Sequence, residues 1–267
     1  MTPAQTTGPV LWEVDARGVA RVTLNRPEVN NAYNGALIEG VLKALDALGG
    51  HDGLRAVVLK GNGKHFQAGA DLKWINSVRT ASPEENLRVS RATADAVQRL
   101  NTVAVPTVAL VQGGCFGGRT GIIAACDVVL AADNAMFSIA EVRWGLHASI
   151  IIPQLADAIG VRQLRRYALT GERFGAEEAC RIGLAHSVVP HAELETEGAR
   201  IVDHLLANGP EAIAETKAWI LRSAWSNLGE KDVGALVESH AKKRQSAEAV
   251  EGLASFAEKR AARWQKG

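Results

Sequence analysis

Two short apolar runs, each emptying directly into a glycine turn, constrain this chain more than any other feature. Arg55–Lys60 (RAVVLK) leads into Gly61-Asn62-Gly63, and Pro106–Val111 (PTVALV) leads into Gly113-Gly114 and then Gly117-Gly118. The first reads as a strand with a β-branched centre and the second as another strand of the buried type, each bounded by glycine. Helix signals lie between and after them. A helix is expected from about Ala36 to Leu48, stopped by Gly49-Gly50, and a short one from Arg119 to Cys126, followed by a third strand over Asp127–Ala132. Strand, glycine loop and helix therefore recur, which favours an α/β fold of short ββα-like units.

The chain opens on two expected strands, Val10–Val14 and Val19–Leu24, joined by a turn at Ala16-Arg17-Gly18. Beyond Asp71 the pattern is polar, and no element is expected until Ser82-Pro83-Glu84-Glu85. There Ser82 can cap a helix, Pro83 suits its first position and Glu85 completes a capping box. Val89, Thr93, Ala96, Val97 and Leu100 then mark one face. After Pro153 the chain reads as mostly helical, with one helix opening at Pro210. Alternation of strands and helices stops near Pro190. The expected division is a core over residues 1–190 with a helical region over residues 191–267. That region holds Trp219, Trp225 and Trp264 and should pack on the core or on another subunit.

Composition narrows the function classes. Of 267 residues 47% are hydrophobic and 22% charged, and 30 Lys+Arg against 29 Asp+Glu leave a net charge of +1. No broad basic field exists to hold a nucleic acid by counterion release, so no nucleic-acid partner is expected. Cys115, Cys126 and Cys180 fit neither a zinc spacing nor a disulfide framework and read as reduced thiols. Met1–Pro9 is polar, and no apolar segment approaches bilayer length. The expectation is a cytoplasmic protein with no membrane partner and no metal.

Three segments carry the chemistry. In Phe66-Gln67-Ala68-Gly69-Ala70-Asp71-Leu72 the small residues let a ligand approach the backbone, and the Ala70 N–H could face an oxygen; a tight surface turn is the competing reading. Gly113-Gly114-Cys115-Phe116-Gly117-Gly118 opens a helix whose free N–H groups suit a developing anion; close packing of helix on strand explains it equally well. Together, two N–H groups from separate loops could form an oxyanion hole. Glu141 lies in Phe137-Ser138-Ile139-Ala140-Glu141-Val142-Arg143-Trp144-Gly145. Burial would raise its pKa for proton transfer, whereas pairing with Arg143 would make it a surface salt bridge.

The ordered segments LNRPEVNNA, FQAGADL, VQGGCFGG, AACDVVLAADNAMFSIAEVRWGL, LTGERFGAEEACRIGLAHSVVP and EGLASFAEKR resemble the crotonase (enoyl-CoA hydratase/isomerase) superfamily, collinearly from about Val10 to Trp264. The pattern is most similar to bacterial methylglutaconyl-CoA hydratases. The resemblance implies a spiral α/β core of ββα units and a helical C-terminal region that forms trimers or dimers of trimers. It also implies an acyl-CoA substrate, with coenzyme A arriving as part of that substrate and no other cofactor.

By position, Ala70 and Gly118 resemble the two backbone donors to the thioester oxygen, and Glu141 the second of two catalytic glutamates. Gly121 stands where the first would be. The resemblance thus implies a 2-enoyl-CoA hydratase for a branched or carboxylated acyl group, with a single-glutamate Δ3,Δ2-enoyl-CoA isomerase and a non-catalytic acyl-CoA-binding paralogue as alternatives. Arg26, Ala32, Ala68, Asp71, Leu72 and Gly117 match positions along the coenzyme A and substrate path, and Phe256 and Lys259 match positions that reach a neighbouring subunit's coenzyme A. Arg119 and His147 depart from the family pattern. Arg119 is read either as a partner for an acyl carboxylate or as a solvent-facing first-turn arginine. His147 is read either as a second proton-transfer group or as a packed loop histidine. Trp74 and Trp144 are candidates to line the acyl pocket.

Overall fold

In the computed structural model, which describes residues 4–224 and 230–260, the chain winds through ββα units that feed two sheets at once. Trp225 and Trp264 lie outside the described residues. The first unit is β1 (Val10–Val14), β2 (Val19–Leu24) and α1 (Gly35–Gly49). Gly18 turns the hairpin at φ +80°, against the backbone of Gly53. The second unit is β3 (Ala56–Gly61), β4 (Gln67–Ala68), α2 (Leu72–Arg79) and α3 (Pro83–Thr102). The third is β5 (Thr107–Val111), β6 (Gly114–Phe116) and α4 (Arg119–Ala124), and the fourth is β7 (Val128–Ala132), β8 (Met136–Ser138) and α5 (Ile152–Thr170), which breaks at Gly160. After β9 (Arg173–Gly175), α6 (Ala176–Ile182) and β10 (Ser187–Val189) the chain is helical: α7 (Leu194–Leu206), α8 (Pro210–Ala224), α9 (Glu230–Arg244) and α10 (Ala247–Ala257).

In the second, third and fourth units the first strand enters a six-stranded sheet, ordered β1-β2-β3-β5-β7-β10. The second enters a four-stranded sheet, ordered β4-β6-β8-β9. The large sheet is parallel except for β1, and the small one except for β9. The expected long strands are present within a residue. The small sheet was not expected, because strands of two or three residues carry no periodicity to detect. The helix α2 was not expected either. Its start is set by Asp71, whose carboxylate accepts the N–H groups of Lys73 and Trp74.

Both faces of the large sheet are covered. One packs on α1 and α3 through residues such as Val57, Ala109, Leu37 and Val97. The other carries Val58, Val108, Leu110 and Leu130 against Leu194 and Val202 of α7. Ser82 caps α3 as expected, its Oγ accepting from Glu85 N at 3.2 Å, but the Glu85 carboxylate turns to Arg88, so the reciprocal half of the box is unformed. Downstream, α8 is tied to the core by Lys217, 8% exposed, whose Nζ donates to Asp127 at 2.7 Å. The last two helices do something else. They fold back against the Glu141–Trp144 turn and α3 of their own chain, and their residues line its principal cavity. No helix among the described residues is long and apolar enough to cross a membrane.

Candidate active site

The register of the small sheet brings three loop residues to one edge. In the parallel pairs, Ala68 lies opposite Phe116 and Phe116 opposite Ser138. Two residues beyond the first two positions stand Ala70 and Gly118, and three beyond Ser138 stands Glu141. The carboxyl ends of adjacent parallel strands thus open together, the usual place for a site in such sheets. Neither the Ala70 nor the Gly118 N–H takes part in a backbone hydrogen bond among the described residues. Both residues, with Glu141, line a cavity of about 340 Å³. The helix after Gly118 is only a turn and a half long, so the individual N–H group, more than a long helix dipole, is what this loop offers.

The loops are aimed by glycine conformation and by polar struts. Gly69 has φ +84° with open space where a side chain would go, so conformation alone demands glycine beside Ala70. Gly117 has φ +64°, and a Cβ there would lie 3.2 Å from Glu141 Oε1. Asn31, fully buried, donates from Nδ2 to the carbonyls of Asn62, His65 and Phe66, and its Oδ1 accepts from Arg26 N at 2.7 Å. Gln112 donates to Gly61 and Gly63, and the Gly114 N–H donates to His65 Nδ1 at 2.8 Å. A backbone that cannot pair in long strands is held by side chains instead.

Glu141 begins the 3-10 turn Glu141–Trp144. Its Oε2 is enclosed and has no hydrogen-bond partner, and burial pushes the carboxyl up to about 7, the Arg119 charge pulling the other way. The surface pairing with Arg143 is not what forms: Arg143 is exposed and lies along Gly171. Arg119 is a second correction. The solvent-facing reading fails, because the residue is only 4% exposed, with its guanidinium carbon 3.4 Å from the centroid of the Tyr33 ring. Burial lowers its pKa to about 10, which leaves it charged at neutrality. Gly121 admits no acid. A Cβ built there would overlap the side chain of Ile151, which fills the space a first glutamate would need.

Of the residues expected along the substrate path, Ala68, Leu72, Gly117, Arg119, His147, Trp74 and Trp144 line the cavity. Arg26, Ala32 and Asp71 do not. The Arg26 guanidinium donates to Ala32 O at 2.6 Å and pairs with Asp71 at 3.3 Å, which fastens the Asn31 loop to the start of α2 next to Ala70. His147 is half-buried, its ring 6.3 Å from that of His240. Phe256 stacks edge-on against Trp144 at 4.3 Å and lines the cavity of its own chain. Tyr33, His240 and Arg244 also line it and were not singled out in the sequence. For the last two the signal was their i, i+4 spacing in α9, which sets both on one helix face. Among the described residues no group of three His, Cys, Asp or Glu is placed to hold a metal.

The family model for enoyl-CoA hydratase/isomerase matches residues 15–267. The hydroxycinnamoyl-CoA hydratase-lyase of Pseudomonas fluorescens is 34% identical over 203 residues, covering 75% of this chain and 74% of that protein. The mevalonyl-coenzyme A hydratase of Aspergillus fumigatus is 31% identical over 246 residues, 91% of this chain and 90% of that one. The crystal structure of an enoyl-CoA hydratase from Mycobacterium avium superposes with a TM-score of 0.86 at 29% identity, covering 97% of this chain and all of that one. The chain belongs to the enoyl-CoA hydratase/isomerase family, the crotonase superfamily, and is an enzyme of that family.

Proposed function

We propose that this enzyme adds water to the double bond of a 2-enoyl-CoA, or removes it in the reverse direction, with Glu141 as its sole carboxylate acid/base. The observation that carries this reading is the convergence of two unpaired backbone N–H groups and one partnerless carboxyl oxygen at the ends of three adjacent strands. The thioester oxygen accepts from Ala70 N–H and Gly118 N–H. Glu141 takes a proton from water as the water oxygen bonds to the β-carbon and electrons shift onto the thioester oxygen. It then returns a proton to the α-carbon as the enolate collapses. Losing one such donor typically costs about 3 kcal/mol of transition-state stabilisation. Coenzyme A comes with the substrate, and the acyl group is branched or carboxylated, of the methylglutaconyl kind.

A second reading is Δ3,Δ2-enoyl-CoA isomerisation, favoured by the filled space at Gly121: one acid suffices to carry a proton between two carbons, whereas a water must be held as well in hydration. Incubation with crotonyl-CoA and methylglutaconyl-CoA in 18O-water separates the two. Label in the hydroxyacyl product supports hydration. Unlabelled products together with turnover of a 3-enoyl-CoA would replace it by isomerisation.

A further inference from the structure

The two glycine loops part before they reach the proposed donors. Strand pairing between them ends at Ala68 and Phe116, and each donor stands two residues further on. Beyond that pair no backbone hydrogen bond joins the two loops among the described residues. Each loop also turns there on a glycine in the left-handed region, Gly69 at φ +84° and Gly117 at φ +64°. Sheet register therefore does not set how the Ala70 N–H lies relative to the Gly118 N–H. Yet a misplacement of about 1 Å in a reacting group can cost on the order of 10²-fold in rate.

Tyr33 spans the gap. Its backbone forms an isolated parallel bridge with Ala70: the Tyr33 N–H donates to Gly69 O at 3.1 Å, and the Tyr33 carbonyl accepts from Asp71 N at 2.9 Å. The bridge grips the chain on either side of Ala70 and leaves the N–H of Ala70 itself unused. The side chain of Tyr33 reaches the other loop. The guanidinium carbon of Arg119, the residue after Gly118, lies 3.4 Å from its ring centroid. The ring is held in turn. Its hydroxyl is hydrogen-bonded to Thr93 Oγ1, and Trp74 meets it at 83° with centroids 4.9 Å apart. Tyr33 and Arg119 are both buried and both line the cavity. The Nε of Arg119 is enclosed with no hydrogen-bond partner, so the ring face is a principal hold on this side chain. A planar guanidinium suits that role, because it stacks on an aromatic face and is attracted to it out of water.

We propose that Tyr33 is a positioning residue that locks the two donors to each other: its backbone holds Ala70, and its ring, through Arg119, holds Gly118. The proposal rests on the reading of these N–H groups as donors to the thioester oxygen and adds the part that fixes their spacing.

The test follows the thioester carbonyl itself. Butyryl-CoA has no double bond to react; labelled with 13C at that carbonyl, it is read by isotope-edited infrared difference spectra, with calorimetry for affinity. Bound to the wild type, the carbonyl band should move to lower frequency as the donors draw charge onto the oxygen. Tyr33→Leu keeps the backbone bridge and the Arg119 charge but removes the ring face. It should lose about half of that shift or more while affinity stays within about threefold, because the donors act on developing charge more than on binding. Tyr33→Phe should restore most of the shift. Arg119→Met should lose shift as well, and adding Tyr33→Leu to it should lose no more, since the ring acts through that arginine. Folding of each variant is checked by its thermal transition. An unchanged band in Tyr33→Leu, or in Arg119→Met should the former not fold, overturns the lock and leaves the donors standing. Weakened binding with the full shift in the bound thioester overturns it too, since a merely structural ring would act that way. Losses that add in the double variant do the same. A wild type that leaves the band unmoved, or binds no butyryl-CoA, sinks the reading of Ala70 and Gly118 as donors and the lock with it.

Discussion

The two sheets are built by opposite means. The large one is made of five- and six-residue strands, apart from the three-residue β10, and is held by apolar burial on both faces; β5 is buried at every position. The small one has strands of two or three residues and depends on Asn31, Gln112 and His65 to bind loop backbone, and on glycines at positive φ to turn it. The Ala70 and Gly118 N–H groups and the Glu141 carboxyl, the groups proposed to act on the thioester, stand at the end of the small sheet. Where many residues share the burden of stability, backbone direction is an average over the whole face. Where one amide fixes a loop, an N–H can be aimed, and the same amide becomes a point of failure.

The contrast can be broken most severely at Glu141. Glu141→Gln should lower turnover by about 10³-fold while thioester affinity stays within a few fold, read by steady-state kinetics beside calorimetry. The same variant should be the more stable protein at alkaline pH. Because burial raises the folded-state pKa from 4.5 to about 7, the wild type loses stability as pH climbs through that window, by on the order of 3 kcal/mol, and the glutamine variant does not. Thermal denaturation at pH 5 and pH 8 would show the gap widening; a constant gap would mean the carboxyl is not buried in solution.

Gly117→Ala comes next. It combines about 1–2 kcal/mol of left-handed strain with pressure on the Glu141 carboxylate, and kcat should fall on the order of 10²-fold. A paired comparison then sharpens the difference between the sheets. Asn31→Ala and Leu130→Ala should each cost about 3 kcal/mol in urea denaturation, the first through unsatisfied carbonyls and the second through a cavity. Only Asn31→Ala should also reduce kcat of the folded protein. Equal kinetic damage from both would erase the distinction between aimed and averaged backbone. The smallest effect is on the pH profile. In the hydration direction kcat/KM should rise with pH to a plateau, with an apparent pKa near 7. Since Arg119 lowers the Glu141 pKa, Arg119→Met should move that limb to higher pH.

This contrast also explains what could be read in the sequence. Val57, Val58 and Leu59 announce a buried strand by themselves, and the ββα rhythm follows from their recurrence. Glycine loops and an acid in an apolar setting singled out Ala70, Gly118 and Glu141, which line one cavity, because such features depend on local backbone and composition. The burial of Arg119 was not legible, since it is decided by Tyr33, far away in sequence, and by helices that close over the pocket. Arg244 and His240 face the cavity only after α9 has packed on α3. Arg26 and Asp71, read as ligand residues, turned to each other; nothing in a linear pattern distinguishes a pair that grips a substrate from one that grips a loop.

Gly252 of α10 packs so closely on the backbone of Trp144 that a methyl group there would overlap the Trp144 carbonyl. This helix is therefore seated on the turn that carries Glu141. On the ribosome the two sheets and both glycine loops emerge well before that helix does. A nascent chain thus carries both loops and Glu141 before it carries α10, and their cavity gains the wall formed by Leu253 and Phe256 only once that helix has emerged.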